Sequence, residues 1–276
     1  MMTRPASGLL LAFLLTLSAP TQAEEVASAV GLPVEKPQFA RIAYDAYWGP
    51  ILVATVAFSL DTRAETYRTD MTIRPAGPVA WFTDNFSADL VSEGAFETDG
   101  RTRPVHFHRT WRSDKKSGDV VVHYDAATGI ALGVYEGKPD DQVPEDLRKD
   151  VIDPLAVLTA ARHRLLMGKE IDLGLKVYDG KRRFDMKGQV EHLRHMEFRD
   201  VTYEVIPVSL NFVPLAGFNK RQQDGWMGSQ FEIMFSTDGA ATPFQIYLET
   251  KLGWLRLIQV NICQTDGAPC QFAKVE

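Results

Sequence analysis

Leu52-Val53-Ala54-Thr55-Val56-Ala57-Phe58-Ser59-Leu60, followed after a short gap by Tyr67-Arg68-Thr69-Asp70-Met71-Thr72-Ile73-Arg74, decides the fold class. In the first stretch Leu52, Ala54, Val56, Phe58 and Leu60 share one side. In the second, Tyr67, Thr69, Met71 and Ile73 oppose Arg68, Asp70, Thr72 and Arg74. Successive side chains of a strand point to opposite faces, so a period of two over this length predicts half-buried antiparallel strands. The signature returns at Val105, Phe107 and Trp111, at Val120, Val122 and Tyr124, and at Phe184 and Met186. It appears again at Phe231, Ile233 and Phe235 and at Phe244, Ile246 and Leu248. The expectation is a mostly β protein: one large curved antiparallel sheet with a wet outer face, forming an open barrel, a half-barrel or a spiral. Strand twist curls sheets of this size, and the curl protects their edges.

One main helix is expected to pack on that sheet. It begins at Asp153-Pro154, where a capping carboxylate precedes a proline at the first helical position. Leu155, Leu158, Leu165 and Leu166 then fall at helical spacing until Gly168. Asp153 therefore reads as an N-cap rather than a catalytic carboxylate. A second, short helical turn is expected at residues 78 to 83.

Upstream, Arg4 precedes an uncharged apolar run from Leu9 to Leu17, and small residues lead to Ala23 before Glu24-Glu25. The run is far shorter than the ~20 residues that span a bilayer core, so residues 1–23 read as a cleaved export signal. The protein is then expected in the periplasm, with no transmembrane segment in the mature chain. Residues 24–38, with two prolines and no periodicity, read as an extended leader, and 39–276 as a single β-rich domain. The roughly 250 residues after the cut are enough for one large β domain with its own core. Without Arg4 the formal net charge goes from −6 to −7. Nucleic-acid binding needs a basic surface, which excludes nucleic acid as an expected partner. The two cysteines, Cys263 and Cys270, flank a Gly and Pro turn, and in an oxidising compartment that spacing favours a disulfide over a redox or metal pair.

Several stretches together resemble the bacterial envelope family known as domain of unknown function 3108. They are Tyr47-Trp48-Gly49 before a strand, the Asp153-Pro154-Leu155 helix start, Val177-Tyr178-Asp179-Gly180-Lys181-Arg182-Arg183-Phe184, and Ser236-Thr237-Asp238 with Pro243 and Leu252-Gly253. The resemblance spans most of residues 44 to 260. It implies a periplasmic β-rich domain and no particular activity.

The hairpin from Arg103 to Asp125 carries the most polar chemistry. A register pairing Trp111 with Val120 puts Phe107 and Arg109 on the inner side, and Arg112 against Asp119 and His106 against Asp125 outside. It also sets His108 opposite His123, so His106, His108, His123 and Asp125 gather on one face as a candidate metal site or proton sensor. Competing with this is a plain solvated face, because a flat outer sheet surface seldom supplies tetrahedral convergence. His163, His192 and His195 read as solvated, and Lys181-Arg182-Arg183 and Lys220-Arg221 as short basic runs on solvated loops.

Gly-x-Ser-x-Gly, a phosphate-binding glycine loop, His-Glu-x-x-His and a calcium loop are all absent from the sequence. No catalytic residue and no cofactor is therefore assigned. The reading preferred is a noncatalytic periplasmic binding or scaffolding protein that supports the cell envelope. Its concave sheet would hold an apolar or lipid-like ligand or a peptide, the partner being an envelope lipid, lipoprotein or peptide. The alternatives are an envelope hydrolase or transferase using the histidine face, and a structural partner of an outer-membrane assembly.

Overall fold

The computed structural model describes residues 39–63, 65–77, 84–168, 172–198, 201–251 and 253–263. The export signal, the leader, the turn expected at 78 to 83 and Cys270 lie outside the described residues; Cys263 ends the last strand.

The first half of the chain forms β1 (Phe39–Trp48), β2 (Ile51–Thr62), β3 (Thr66–Pro75), β4 (Ser87–Phe96), β5 (Thr102–Arg112), β6 (Ser117–Tyr124), β7 (Ala131–Tyr135) and β8 (Lys138–Pro139). A 3-10 turn at Glu145–Arg148 leads to helix α1 (Pro154–Leu166). The second half forms β9 (Asp172–Tyr178), β10 (Arg183–Val190), β11 (Arg194–Phe198), β12 (Val201–Ala216), helix α2 (Lys220–Trp226), β13 (Gln230–Ser236), β14 (Pro243–Thr250) and β15 (Gly253–Cys263). All the strands belong to one antiparallel sheet of order β8-β7-β6-β5-β4-β3-β2-β1-β15-β14-β13-β12-β10-β9, with β11 paired separately to β12. Two meanders are thus joined through their outermost strands in sequence, β1 against β15.

The period-two pattern accounts for the sheet's two faces. Val56, Phe58 and Leu60 of β2 and Tyr67 and Thr69 of β3 are buried. Arg68 pairs with Asp70 and Glu93, and Arg74 with Asp89, on the exposed face. Bulges interrupt the expected alternation; at the β1–β2 shift Val53 joins Ala54 in facing the interior in place of Leu52, and two further cases are Val105 and Phe244. Val105 is 55% exposed because the β4–β5 register shifts between Glu93 and Gly94, so that Pro104 and Phe107 are buried instead. Phe244 falls at the β13–β14 shift and packs outside the alternation against Phe198 and Tyr203. An extra residue on one strand moves its side chain to the other face.

Helix α1 sits on the inner side of the sheet, against β3, β4, β5 and β9. Leu155, Leu158, Ala160, Ala161, Leu165 and Leu166 are buried, as are Thr159, Arg162 and His163 on its remaining sides. Only Pro154 and Arg164 are half-buried, so the polar side chains of this helix must find partners inside the protein. This corrects the reading of His163 as solvated: it is 8% exposed and stacks on Phe96 at 3.8 Å between ring centroids. Arg162 donates to the Ala240 carbonyl at 3.2 Å and to Thr62 Oγ1 at 3.1 Å, anchoring the helix to the strand ends around it.

A helix start inside the protein needs an acceptor for its first N–H groups. Asp153 provides it: Oδ1 accepts from the Leu155 and Ala156 N–H at 2.9 and 2.8 Å, while Oδ2 accepts from the Ser92 hydroxyl at 2.7 Å. The sequence reading of Asp153 as a cap matches this geometry. Complete burial raises the Asp153 carboxyl from 3.8 to about 6, against the lowering effect of these hydrogen bonds.

The hydrogen-bonded path of strands does not close into a ring. Residues 149–152 cross the gap between its two edges, with Lys149 bridging to Ile130 ahead of β7 and Ile152 bridging in parallel to Val177 of β9. The Ile152 N–H donates to the Lys176 carbonyl and the Tyr178 N–H to the Ile152 carbonyl, both at 2.8 Å. Above this bridge the Tyr178 hydroxyl donates to Asp140 at 2.7 Å. Gly133 and Gly180 leave the room this contact requires. A Cβ on Gly133 would lie 2.2 Å from the Tyr178 hydroxyl and 2.7 Å from the Gly180 carbonyl oxygen, and one on Gly180 2.2 Å from Val120 Cγ1. Gly180 also has φ +88°, a conformation that favours glycine.

Two measurements check this construction. Gly133→Ala forces the seam apart and is expected to lower stability by about 1–3 kcal/mol in urea unfolding, whereas Gly174→Ala, where a Cβ meets nothing within 4 Å, leaves it nearly unchanged. Between pH 3.8 and 6 the folded protein keeps a proton on Asp153 that the unfolded chain releases, so this group's contribution is fully present below 3.8 and is lost as pH rises through 6. From a shift of 3.8 to about 6 the loss is on the order of 3 kcal/mol. Asp153→Asn keeps the cap oxygen and removes the charge, so its stability relative to wild type should climb across that pH window; a constant difference would contradict the assignment.

Candidate functional site

Inside the curl, beside α1, lies a cavity of about 610 Å³. β1 to β5, β10 and β12 to β15 contribute to it through inward side chains: Val56 and Phe58 of β2, Ile73 of β3, Leu210 of β12, Ile233 of β13 and Leu257 of β15 among them. The helix supplies Leu155 and Leu158 from one side. Fifteen strands enclose more space than their own inward side chains and one helix occupy, and the remainder stays apolar.

The two ends of this interior differ. Where β2 ends and β3 begins, Leu60, Tyr67 and Thr69 are buried beneath α1, with Thr69 Oγ1 and Thr159 Oγ1 2.8 Å apart. At the other end of the same strands, and at the β14–β15 turn, Ile73, Leu248 and Leu255 line the cavity while only half-buried. Helix α2, which the sequence reading did not foresee, lies at this open end. Asn219 caps it in a reciprocal box with Gln222, and Trp226 turns into the cavity against Phe212 at 5.1 Å. Exposed Trp48, Ile51, Phe86 and Met227 belong to turns at the same end. Lys220 and Arg221, read as a loop, are the first turn of α2, exposed as expected.

Three charged side chains reach the otherwise apolar lining: Arg109 of β5, and Asp179 and Arg182 of the β9–β10 turn. Asp179 Oδ1 accepts from the backbone N–H of Lys181 at 2.9 Å and of Arg182 at 2.7 Å, fixing the turn. Asp179 Oδ2 faces Arg109 Nη1 at 3.9 Å and Arg182 Nη1 at 3.7 Å. The basic run Lys181-Arg182-Arg183 is therefore not one solvated cluster. Lys181 lies 3.7 Å from the centre of the Tyr135 ring, and Arg182 lies over Phe218. Arg183 is buried, donating to the Leu147 carbonyl at 3.0 Å and pairing with Asp185 at 2.8 Å.

The histidine face is arranged differently from expectation. The observed β5–β6 register pairs Trp111 with Gly118, Arg109 with Val120 and His106 with His123, two residues from the one predicted. A shift of two preserves the faces, so Phe107 and Arg109 still point inward. It changes the outer partners: Asp119 lies opposite Thr110 and 3.3 Å from His108 Nε2, and Arg112 lies opposite Ser117. The His106 ring is 5.2 Å from that of His123 and 6.3 Å from that of His108. Asp125 is in the next turn, its carboxylate accepting from the Ala127 and Thr128 N–H groups. Among the described residues no group of three or more His, Cys, Asp or Glu side chains is placed to hold a metal ion. His195 lies 3.5 Å from Glu204 and both are exposed, as is His192. No described helix is long and apolar enough to cross a membrane.

Partial burial and then the neighbouring His123 lower the His106 pKa below 6.5, with Glu93 at 3.9 Å opposing them. Folding thus disfavours the His106 cation, and its stability cost appears as pH falls below 6.5. Proton NMR titration should give His106 a midpoint under 6.5, and His123→Ala should move it upward; a midpoint unaffected by that change would refute the coupling.

The model of a family described as a protein of unknown function (DUF3108) matches residues 43–258. No curated protein matches the sequence. Among solved structures, the hypothetical protein CT021 from Chlamydia trachomatis is similar at 11% identity, over 83% of this chain and 90% of that one, with a TM-score of 0.31.

Proposed function

We propose that this chain, which belongs to the DUF3108 family of proteins of unknown function, is a noncatalytic binding protein whose sheet interior holds a chain-like apolar ligand. The observation that carries the reading is the cavity of about 610 Å³ with a half-buried end and an almost wholly apolar lining. Its volume lies within the ~300–1,000 Å³ of sites that bury small ligands. Apolar wall of this extent gains free energy by removing hydrocarbon from water. Because the helix fills one end, a ligand would enter from the end that carries α2 and the β14–β15 turn.

The compartment is supported by the sequence: Arg4, the apolar run Leu9 to Leu17 and the small-residue site before Glu24 form an export signal. In the periplasm the ligand would be an envelope lipid or a lipid-bearing peptide, and Cys263 would pair with Cys270. Among the described residues the charged groups of the lining are two guanidiniums and one carboxylate, and that carboxylate is engaged by the backbone N–H groups of Lys181 and Arg182.

The test uses the neutral fluorophore N-phenyl-1-naphthylamine with purified protein. Fluorescence should rise on binding. Ala54→Trp, which places an indole into the cavity from β2, should weaken the probe by roughly tenfold or more while circular dichroism and melting temperature stay near wild type. Absence of any fluorescence rise, or an Ala54→Trp variant that binds as well as wild type, would overturn the reading.

A further inference from the structure

Charge in the cavity lining is unbalanced. Arg109 and Arg182 bring two positive charges against the single carboxylate of Asp179. An ionised group is costly to surround with hydrocarbon unless a counter-charge and hydrogen bonds accompany it. Within the lining one positive charge is thus in excess, on side chains that keep partial contact with water, 25% exposed for Arg109 and 34% for Arg182.

The geometry around Asp179 is also loose. Several arginine–carboxylate pairs elsewhere in the chain close to hydrogen-bonding distance: Arg74 and Asp89 at 2.8 Å, Arg183 and Asp185 at 2.8 Å, Arg194 and Glu232 at 2.7 Å. At the cavity the corresponding separations are 3.9 Å for Arg109 and 3.7 Å for Arg182. One carboxylate oxygen, shared between two guanidiniums and beyond direct contact with both, leaves their donors available. Arg109 Nε is in addition a buried donor with no hydrogen-bond partner among the described residues. Arg182 is braced by the Phe218 ring, with 5.7 Å from its guanidinium carbon to the ring centre, so its planar group is presented rather than free to swing.

Resting on the reading of the cavity as an apolar-ligand site, we infer that the ligand is a single-chain amphiphile with an anionic head, its acyl chain among the apolar side chains and its head held by Arg109 and Arg182. Planar guanidinium forks match carboxylate and phosphate oxygens alike. Asp179 orients the two arginines and sets the net charge at one positive. A monoanion neutralises that charge, and a cationic head is repelled. Arg182 lies in the Val177–Phe184 stretch that carries the family resemblance, whereas Arg109 lies in none of those stretches. Arg109 is the one charged side chain on the inner face of β5 opposite Val120, and it meets the β9–β10 turn only because Gly180 lets that turn settle onto Val120.

Competition against N-phenyl-1-naphthylamine separates this inference from the reading beneath it. The competitors are dodecanoate, dodecyl phosphate, 1-dodecanol and dodecylammonium, all below their aggregation limits. In wild type an anionic head should bind at least about tenfold more tightly than dodecanol, with dodecylammonium weakest. Comparison of dodecanoate with dodecyl phosphate tells whether a free acid or a phosphorylated head fits. Arg109→Gln and Arg182→Gln should each erase most of the anion preference and leave dodecanol unchanged. Equal binding of dodecanoate, dodecyl phosphate and dodecanol in wild type overturns the head-group assignment but keeps the apolar site. Failure of every competitor, dodecanol included, to displace the probe overturns both. Should one glutamine variant not fold, the wild-type comparison of heads still decides.

Discussion

Alternate side chains of every strand must leave water, and a long antiparallel sheet meets that demand by curling so that all its apolar faces share one interior. The other features of this domain follow from filling that interior. A helix plugs it, and α1 serves because its buried polar side chains find partners inside: Thr159 with Thr69, Arg162 with Ala240 and Thr62, and His163 on Phe96. Burying its start then requires an internal acceptor, which explains why Asp153, Ser92 and Tyr67 form a polar chain within hydrocarbon, Tyr67 approaching Ser92 Oγ at 3.4 Å. Burial keeps the Tyr67 hydroxyl protonated, and the charge of Asp153 acts in the same direction. The plug is shorter than the space around it, and the cavity is what remains.

Closure of the sheet and composition of the cavity wall depend on the same turn. The β9–β10 turn reaches across the gap between the two sheet edges, where Gly133 and Gly180 permit contact with Tyr178 and Val120. That reach also sets Asp179 and Arg182 beside Arg109. A displacement of the seam would therefore alter the charged wall as well as stability. The exposed ladder of Arg68, Asp70, Glu93, Arg74 and Asp89 adds little by comparison, because solvent screens surface pairs.

Much of the fold was legible because strand parity is robust. Phe58, Tyr67, Phe107, Val122 and Phe235 all face inward as their alternation predicts. Parity is equally the reason the hairpin register was missed: a slip of two residues leaves every face unchanged, so apolar pattern cannot distinguish the pairing of His106 with His123 from that of His108 with His123. Bulges at Val105 and Phe244 were invisible because one inserted residue has no compositional mark. His163 and Arg183 were read as solvated from residue type, whereas each is buried by partners that only the tertiary structure supplies, Phe96 for one and the Leu147 carbonyl with Asp185 for the other. The inward direction of Arg109 was readable from β5 alone. Its meeting with Asp179 and Arg182 was not, since it depends on the two sheet edges approaching one another.

The pairing of β1 with β15 bears on how the domain is made. The first and last of the described strands sit side by side in the middle of the sheet, and the Tyr44 hydroxyl donates to the Pro243 carbonyl across 199 positions of chain. Contacts so distant along the polymer incur a large loop-closure entropy and form late. Until β15 arrives, β1 presents a bare hydrogen-bonding edge, and each meander has an unsealed flank open to intermolecular pairing. Pairing of Gly253 to Cys263 with β1 on one side and β14 on the other closes both flanks at once, which makes this segment a latch for the whole architecture.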